Sequence, residues 1–189
     1  MIMAFRQRTA SACHLLLCLA IATGARAAPP VALQADGSLQ IAGRSLKCGS
    51  VRNALDAHLP NLGISVPASK LLVINPALLA RQSTTVRLFV FHHECGHHHV
   101  GASELGADCW AVHRGVEEGW LDRTGLVDVC NSFGHAPATS THPSGTRRCA
   151  NLDRCYNLAQ AEKTAAMNAR AAAPQLVSGP RLIRDGVLR

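Results

Sequence analysis

The pentapeptide His93-Glu94-Cys95-Gly96-His97 constrains this chain more than any other stretch. It is an H-E-x-x-H motif. On a helix its two histidines differ by about 400° of rotation, so they project from one face, one turn apart. Imidazoles so placed hold one Zn2+ ion, and Glu94 beside them is positioned to take a proton from a water. The flanks agree with a helix. Ser83 or Thr84 caps it, and it runs from about Thr85 to His99. Leu88, Phe91 and Cys95 fall on the side away from the histidine pair, while Val86, Phe89 and Val90 lie beneath it. A helix apolar on two faces belongs inside a core, where ligands are held rigidly. Gly96 permits a close approach by another segment.

A catalytic zinc keeps three protein ligands and one open position. Gly101 breaks the first helix, and Ser103 caps a second from Glu104 to about Glu118, with Leu105, Cys109, Val112 and Val116 on one side. Glu104 is the candidate third ligand. Asp108, one turn on and on the same face, is suited to accept a hydrogen bond from the free ring nitrogen of a ligand histidine. Alternatives stay open. Asp108 could bind directly. His98 or His99 could bind if the helix stopped at His97. Glu104 could be a solvated carboxylate favoured by the helix dipole. His92 and His113 read as surface or core histidines, and Trp110 and Trp120 as core.

The N-terminus carries an export pattern. Arg6 and Arg8 precede an apolar run from Ala10 to about Ala22, and Ala25-Arg26-Ala27 matches a cleavage signal. Residues 1–27 therefore read as a signal peptide. The run falls short of the ~20 residues of a spanning helix. No later segment is long and apolar enough to span, so stable membrane insertion is not expected and the destination is periplasmic or extracellular. Loss of Arg6, Arg8 and Arg26 takes the formal charge from +7 to +4. That excess is spread out, and aromatics make up only 4% of the chain, so there is no nucleic-acid signature. Cys48, Cys95, Cys109, Cys130, Cys149 and Cys155 remain. An even number in an exported chain predicts disulfides, at least two of them. A bridge between Cys130 and Cys149 would tie down the loop between them.

Elsewhere the pattern is weaker. Gly37 to Lys47 alternates and predicts a short hairpin. Ser50 caps an expected helix over Val51 to Leu59, stopped by Pro60. Leu71-Leu72-Val73-Ile74 reads as a strand, and it is placed at the cleft edge, where a peptide could add as a further strand. Gly119 and Gly125 end the helical signal, and Asp128 to Pro143 reads as a loop. A last helix runs from about Arg147 to Ala171. The pattern is that of one α+β domain over residues 28–173, mostly helical with a small edge sheet, the motif helix packed on the helix carrying Glu104. Residues 174–189 read as a flexible tail.

Taken together, His93-Glu94-x-x-His97 and Glu104-Leu105-Gly106-Ala107-Asp108 resemble the gluzincin metallopeptidases of the CAAX prenyl protease and heat-shock membrane protease type. Ser140-Thr141-His142-Pro143-Ser144-Gly145-Thr146-Arg147-Arg148 is similar to the T-H-P-x-x-x-x-R segment of that family's soluble exported members. The resemblance spans about Val86 to Leu152. It implies a zincin-like fold, His93, His97 and Glu104 as zinc ligands, Glu94 as general base, Asp108 behind the ligands, and a protein or peptide substrate. The link from His97 to Glu104 is shorter than the family's, the chain is smaller, and the six cysteines are not a family feature. His142, on a loop reaching the cleft, is a candidate to bond the oxyanion or to cover the metal, against a plain surface histidine. Arg147 would polarise the carbonyl or cap a helix. The competing expectation is a non-catalytic buffer of zinc, copper or nickel, suggested by the histidines from His92 to His99. A third is a disulfide-stabilised secreted module with an accidental motif.

Overall fold

The structure is a computed structural model and describes residues 31–172. The segments read above as a signal peptide and a C-terminal tail lie outside the described residues. Six short strands come first. β1 (Ala32–Leu33), β2 (Leu39–Ile41) and β3 (Arg44–Leu46) form an antiparallel sheet in that order, and its β2–β3 pair is the expected hairpin. β4 (Arg52–Leu55), β5 (Gly63–Val66) and β6 (Leu71–Ile74) form a second sheet in the order β4-β6-β5. There β4 runs parallel to β6 and β5 antiparallel to it. Then come α1 (Pro76–Ala80), α2 (Thr84–Val100), α3 (Glu104–Glu118), α4 (Arg123–Phe133) and α5 (Gly145–Ala172). The α+β class expected from the sequence holds at this level.

α2 is the hinge of the packing. Its Val86 and Phe89 join a cluster with Ala111, Val112 and Val116 of α3, Val129 of α4 and Leu152 and Tyr156 of α5. Its Leu88, Phe91 and Cys95 join a second cluster with Leu39 and Ile41 of β2, and Leu72 and Ile74 of β6. Fully burying each such large side chain contributes about 1.5–3 kcal/mol. The helix is therefore held on two sides, as its two apolar faces require. Ser83 caps it by accepting from the Val86 amide at 3.4 Å.

Three expectations need correcting. Val51 to Leu59 is not a helix. Arg52–Leu55 is β4, because the buried strand β6 needs partners on both flanks for its backbone groups. The Arg52 amide bonds the Lys70 carbonyl at 2.9 Å, and the Asp56 amide bonds Ile74 at 3.0 Å. This ladder outweighs a weak local helical period. For the same reason Leu71–Ile74 is the centre of its sheet and not its edge; the edge on the α2 side is β5. Finally, the first part of the segment from Asp128 to Pro143 is helical, within α4. Asp122 caps α4 through the Gly125 amide at 2.7 Å. Gly125 lies inside the helix because α2 passes close by: a Cβ there would sit 2.8 Å from Thr85 Cγ2.

Three cysteine pairs stand at disulfide distance. Cys48–Cys95 ties the β3–β4 segment to α2, Cys109–Cys155 ties α3 to α5, and Cys130–Cys149 ties α4 to α5, with Cα–Cα distances of 5.6, 5.3 and 5.2 Å. The Cys130–Cys149 pair is the one expected from the sequence. Among the described residues no helix is long and apolar enough to cross a membrane.

Candidate metal centre

The turn from α2 into α3 brings the two halves of the site together. Gly101 adopts φ +71°, a conformation that favours glycine, and reverses the chain. Gly96 lets α3 pack closely: a Cβ there would lie 3.1 Å from the Ala107 Cα. Ser103 caps α3 through the Gly106 amide at 3.1 Å, which places Glu104 in its first turn.

The Nε2 atoms of His93 and His97 lie 3.2 Å apart. Glu104 Oε2 is 3.3 Å from His93 Nε2, and Oε1 is 3.5 Å from His97 Nε2. Ligands at ~2.0–2.1 Å around a tetrahedral zinc are separated by about 3.3–3.4 Å. Each imidazole thus stands at about that spacing from the other and from one oxygen of Glu104, a different oxygen for each ring, and one ligand atom from each residue lies within 4.8 Å of the others. Their tautomers fit as well. His93 Nδ1 donates to Asp108 Oδ1 at 2.9 Å, and His97 Nδ1 donates to the Gly101 carbonyl at 2.8 Å. Both Nε2 lone pairs are then turned toward each other and toward the carboxylate. Glu104 Oε2 is buried and faces His93 Nε2 at 3.3 Å. A cation at this point, a proton on His93 or a metal ion in its place, offsets the carboxylate that faces it, so the residues fit a metal ion.

Asp108 is fully buried, and Arg148 holds it with Nε to Oδ2 at 2.9 Å and a terminal nitrogen to Oδ1 at 2.5 Å. Burial alone would raise the Asp108 pKa, but the Arg148 and His93 hydrogen bonds win and hold it below the usual carboxylate value. Glu104 is likewise lowered: burial is outweighed by the His93 hydrogen bond and the nearby histidines. Glu94 goes the other way, its pKa raised chiefly by burial. Burial works against a charged His93, yet bonds to Asp108 and Glu104 outweigh it and raise its pKa to about 9.

That value gives a testable linkage. At neutral pH the metal-free His93 holds a proton, which a metal ion must displace. Uptake of a metal ion by this group is therefore expected to release about one proton, and apparent affinity to rise about tenfold per pH unit until pH nears 9. In the metal-free protein the raised pKa stabilises the fold below the unfolded value and is lost as pH climbs through about 9. Calorimetric titration in two buffers of different ionisation enthalpy reads the proton count. Heats independent of the buffer would contradict it.

Glu94 lines a cavity of about 510 Å³ with His93, His97 and Glu104, closed on one side by Gly63, Ile64 and Ser65 of β5 and on another by residues 140–142. The strand lies hard against α2: a Cβ on Gly63 would be 3.0 Å from Glu94 Cγ. His142 reaches the same cavity, its Nε2 3.6 Å from Glu104 Oε1 and its Nδ1 2.8 Å from Thr141 Oγ1. The loop is pinned by Thr139, whose Oγ1 accepts from the His142 amide at 3.0 Å.

Not every candidate converges here. His92 is buried on the far side of α2, stacked on Trp120. His99 stacks on Trp110 at 4.1 Å, and His98 is outside the ligand group. Asp108 stands behind His93 rather than in the group. His113 faces Glu162 near the surface. Trp120 is half-buried and packs against both core clusters, while Trp110 is half-buried and joins neither. Arg147 is exposed; the arginine that serves the site is Arg148. The spacing T-H-P-x-x-x-x-R, counted from Thr141, already lands on Arg148. The Gly101 carbonyl and strand β5 left no such signal, since backbone partners are invisible in side-chain patterns.

Comparison with family models, with curated proteins and with solved structures finds no match to this chain. The described geometry thus stands by itself: two imidazoles and a carboxylate that could bind a metal ion, with a second carboxylate in the same cleft.

Proposed function

We propose that this chain is an exported zinc-dependent peptidase of the gluzincin type. The observation that carries the reading is the convergence of His93, His97 and Glu104, whose ligand atoms lie within 4.8 Å of one another, with Glu94 beside the group but outside it. Zinc held there would acidify a water and polarise a scissile carbonyl. Glu94 takes the water's proton and passes it to the leaving amine; its raised pKa suits both halves of that task. Asp108 and the Gly101 carbonyl fix the two ring orientations. His142 stands at the cleft mouth, placed to donate to the oxyanion. β5 is paired only on its β6 side, and its other edge borders the cleft, so an extended peptide can add to it there.

Cysteine pairing fits an oxidising, extracytoplasmic destination. The ion-buffer alternative draws less from the geometry, because His92, His98 and His99 do not join the His93, His97 and Glu104 group. Metal analysis and a cleavage assay on unfolded protein substrates test the proposal together. The expected result is one zinc per chain and hydrolysis that a chelator stops and zinc restores. A folded protein that takes up no zinc would overturn it, and so would a loaded protein that binds several exchangeable ions and cleaves nothing.

A further inference from the structure

A second cavity, of about 560 Å³, adjoins the one at the metal centre and shares Gly63, His93, Glu94 and His142 with it. The two lie toward opposite ends of β5. The first reaches Ser65 and Pro67, the second Leu62 and Pro60. The second has an apolar wall: Phe89 and Val90 of α2, Leu62 before β5, Leu78 of α1 and Phe133 of α4. Phe89 is buried and the other four are half-buried, so apolar surface is left facing the cavity. The wall is held in place. Buried Asn75 donates its Nδ2 to the Ala57 and Leu59 carbonyls at 3.1 and 2.7 Å, and its amide to the Leu62 carbonyl at 3.0 Å. A preformed concave apolar site beside a few convergent polar groups is suited to a ligand side chain. Its charge is one-sided. Apart from Glu94 no carboxylate lines it, while Arg148 and Arg81 do. Arg148 is held by Asp108; Arg81 is exposed, and its guanidinium makes no ion pair among the described residues.

We propose that this second cavity selects the substrate residue that supplies the leaving amine, taking a bulky apolar side chain and turning away lysine and arginine. The inference rests on the peptidase reading. Glu94 passes its proton to that amine, so the residue carrying the amine stands beside Glu94, which lines both cavities. Antiparallel pairing is slightly the more stable kind. A peptide added that way to the free edge of β5 runs from the Ser65 end toward Leu62. It lays the residues before the cut bond over the first cavity and delivers the next side chain into the second. An apolar side chain there covers the exposed parts of Leu62, Leu78 and Phe133. A lysine or arginine would instead bring a third cation beside Arg81 and Arg148, with the one carboxylate engaged at the reacting bond. Leu78 and Phe133 therefore select by fit, and Arg81 by repulsion.

The test measures kcat/KM of the zinc-loaded full chain on one quenched peptide, varied only at the residue after the cut bond as Leu, Phe, Ala or Lys, with mass spectrometry locating the cut. Leu and Phe are expected to exceed Ala and Lys by at least about tenfold. Leu78→Trp, which fills the cavity, should lower Phe relative to Ala by at least about tenfold. Arg81→Glu, at an exposed position, should raise Lys relative to Leu by about fivefold, and by less at high salt. Each ratio is taken within one protein, so a partly folded variant does not distort it. Equal rates on all four peptides in a protein that cleaves would overturn the proposal. So would ratios that neither variant moves. A zinc-loaded wild type that cleaves none of the four overturns the peptidase reading itself, and this pocket's role with it.

Discussion

On the proposed function, Glu94→Gln is expected to bind zinc as the wild type does and to lose peptidase activity, with the rate falling by about 10²–10⁴-fold, the usual contribution of a positioned acid–base group. The separation of the two readouts follows from the geometry. Glu94 is not in the ligand group, so the donor set is unchanged. The amide is close in shape to the carboxylate, so β5 keeps its contact with α2 at Gly63. Its carbonyl oxygen can still accept the Ser65 amide bond that the carboxylate accepts. What disappears is the proton acceptor. In the wild type, activity should fall as the pH drops through the Glu94 pKa, because only the ionised form is a base. Burial raises that pKa, so the acid limb should lie above the ordinary carboxylate value. Zinc content, a pH–rate profile and cleavage of an unfolded substrate measure all three. A Glu94→Gln variant that cleaves at the wild-type rate would remove Glu94 from the chemistry.

The parts legible in the sequence are those where one helix carries the whole signal. The span of α2, the caps at Ser83 and Ser103, and the span of α3 all follow from side-chain period and local capping. The juxtaposition of Glu104 with the histidines was inferable because only a three-residue link separates the helices, and Gly101 could make the turn. Strand β4 was not legible, because its reason to exist is a ladder with β6 that lies elsewhere in the chain. α4 was hidden by Gly125, which reads as a breaker but is there to make room for Thr85. The misplaced cleft edge has the same origin. Apolar content marked β6 as a strand, but apolar content is highest at the centre of a sheet, and β5, the real edge, shows almost no pattern.

Arg147 is the arginine expected near the site, but Arg148 is the one that packs against it, and that arginine carries the second large expectation. Arg148→Met should lower the unfolding free energy by about 3 kcal/mol, because it removes the two charge-assisted bonds from the guanidinium and leaves the fully buried Asp108 carboxylate with His93 alone. Methionine retains the apolar stem over the Phe133 ring, where the guanidinium now lies at 4.0 Å, so the loss reports on charge more than on volume. Zinc affinity should fall about 10–100-fold, although Arg148 touches no proposed metal donor, since the Asp108 that orients His93 is no longer anchored. A second change separates the two effects. Adding Asp108→Asn removes the buried charge and should recover much of the stability. It should not recover the affinity, because a neutral amide is a weaker partner for the His93 Nδ1–H than a carboxylate. Urea unfolding and competitive zinc titration on the three proteins distinguish the outcomes. A wild-type midpoint in Arg148→Met would mean that Asp108 does not depend on it. An affinity restored together with stability would mean that the pair serves the fold alone.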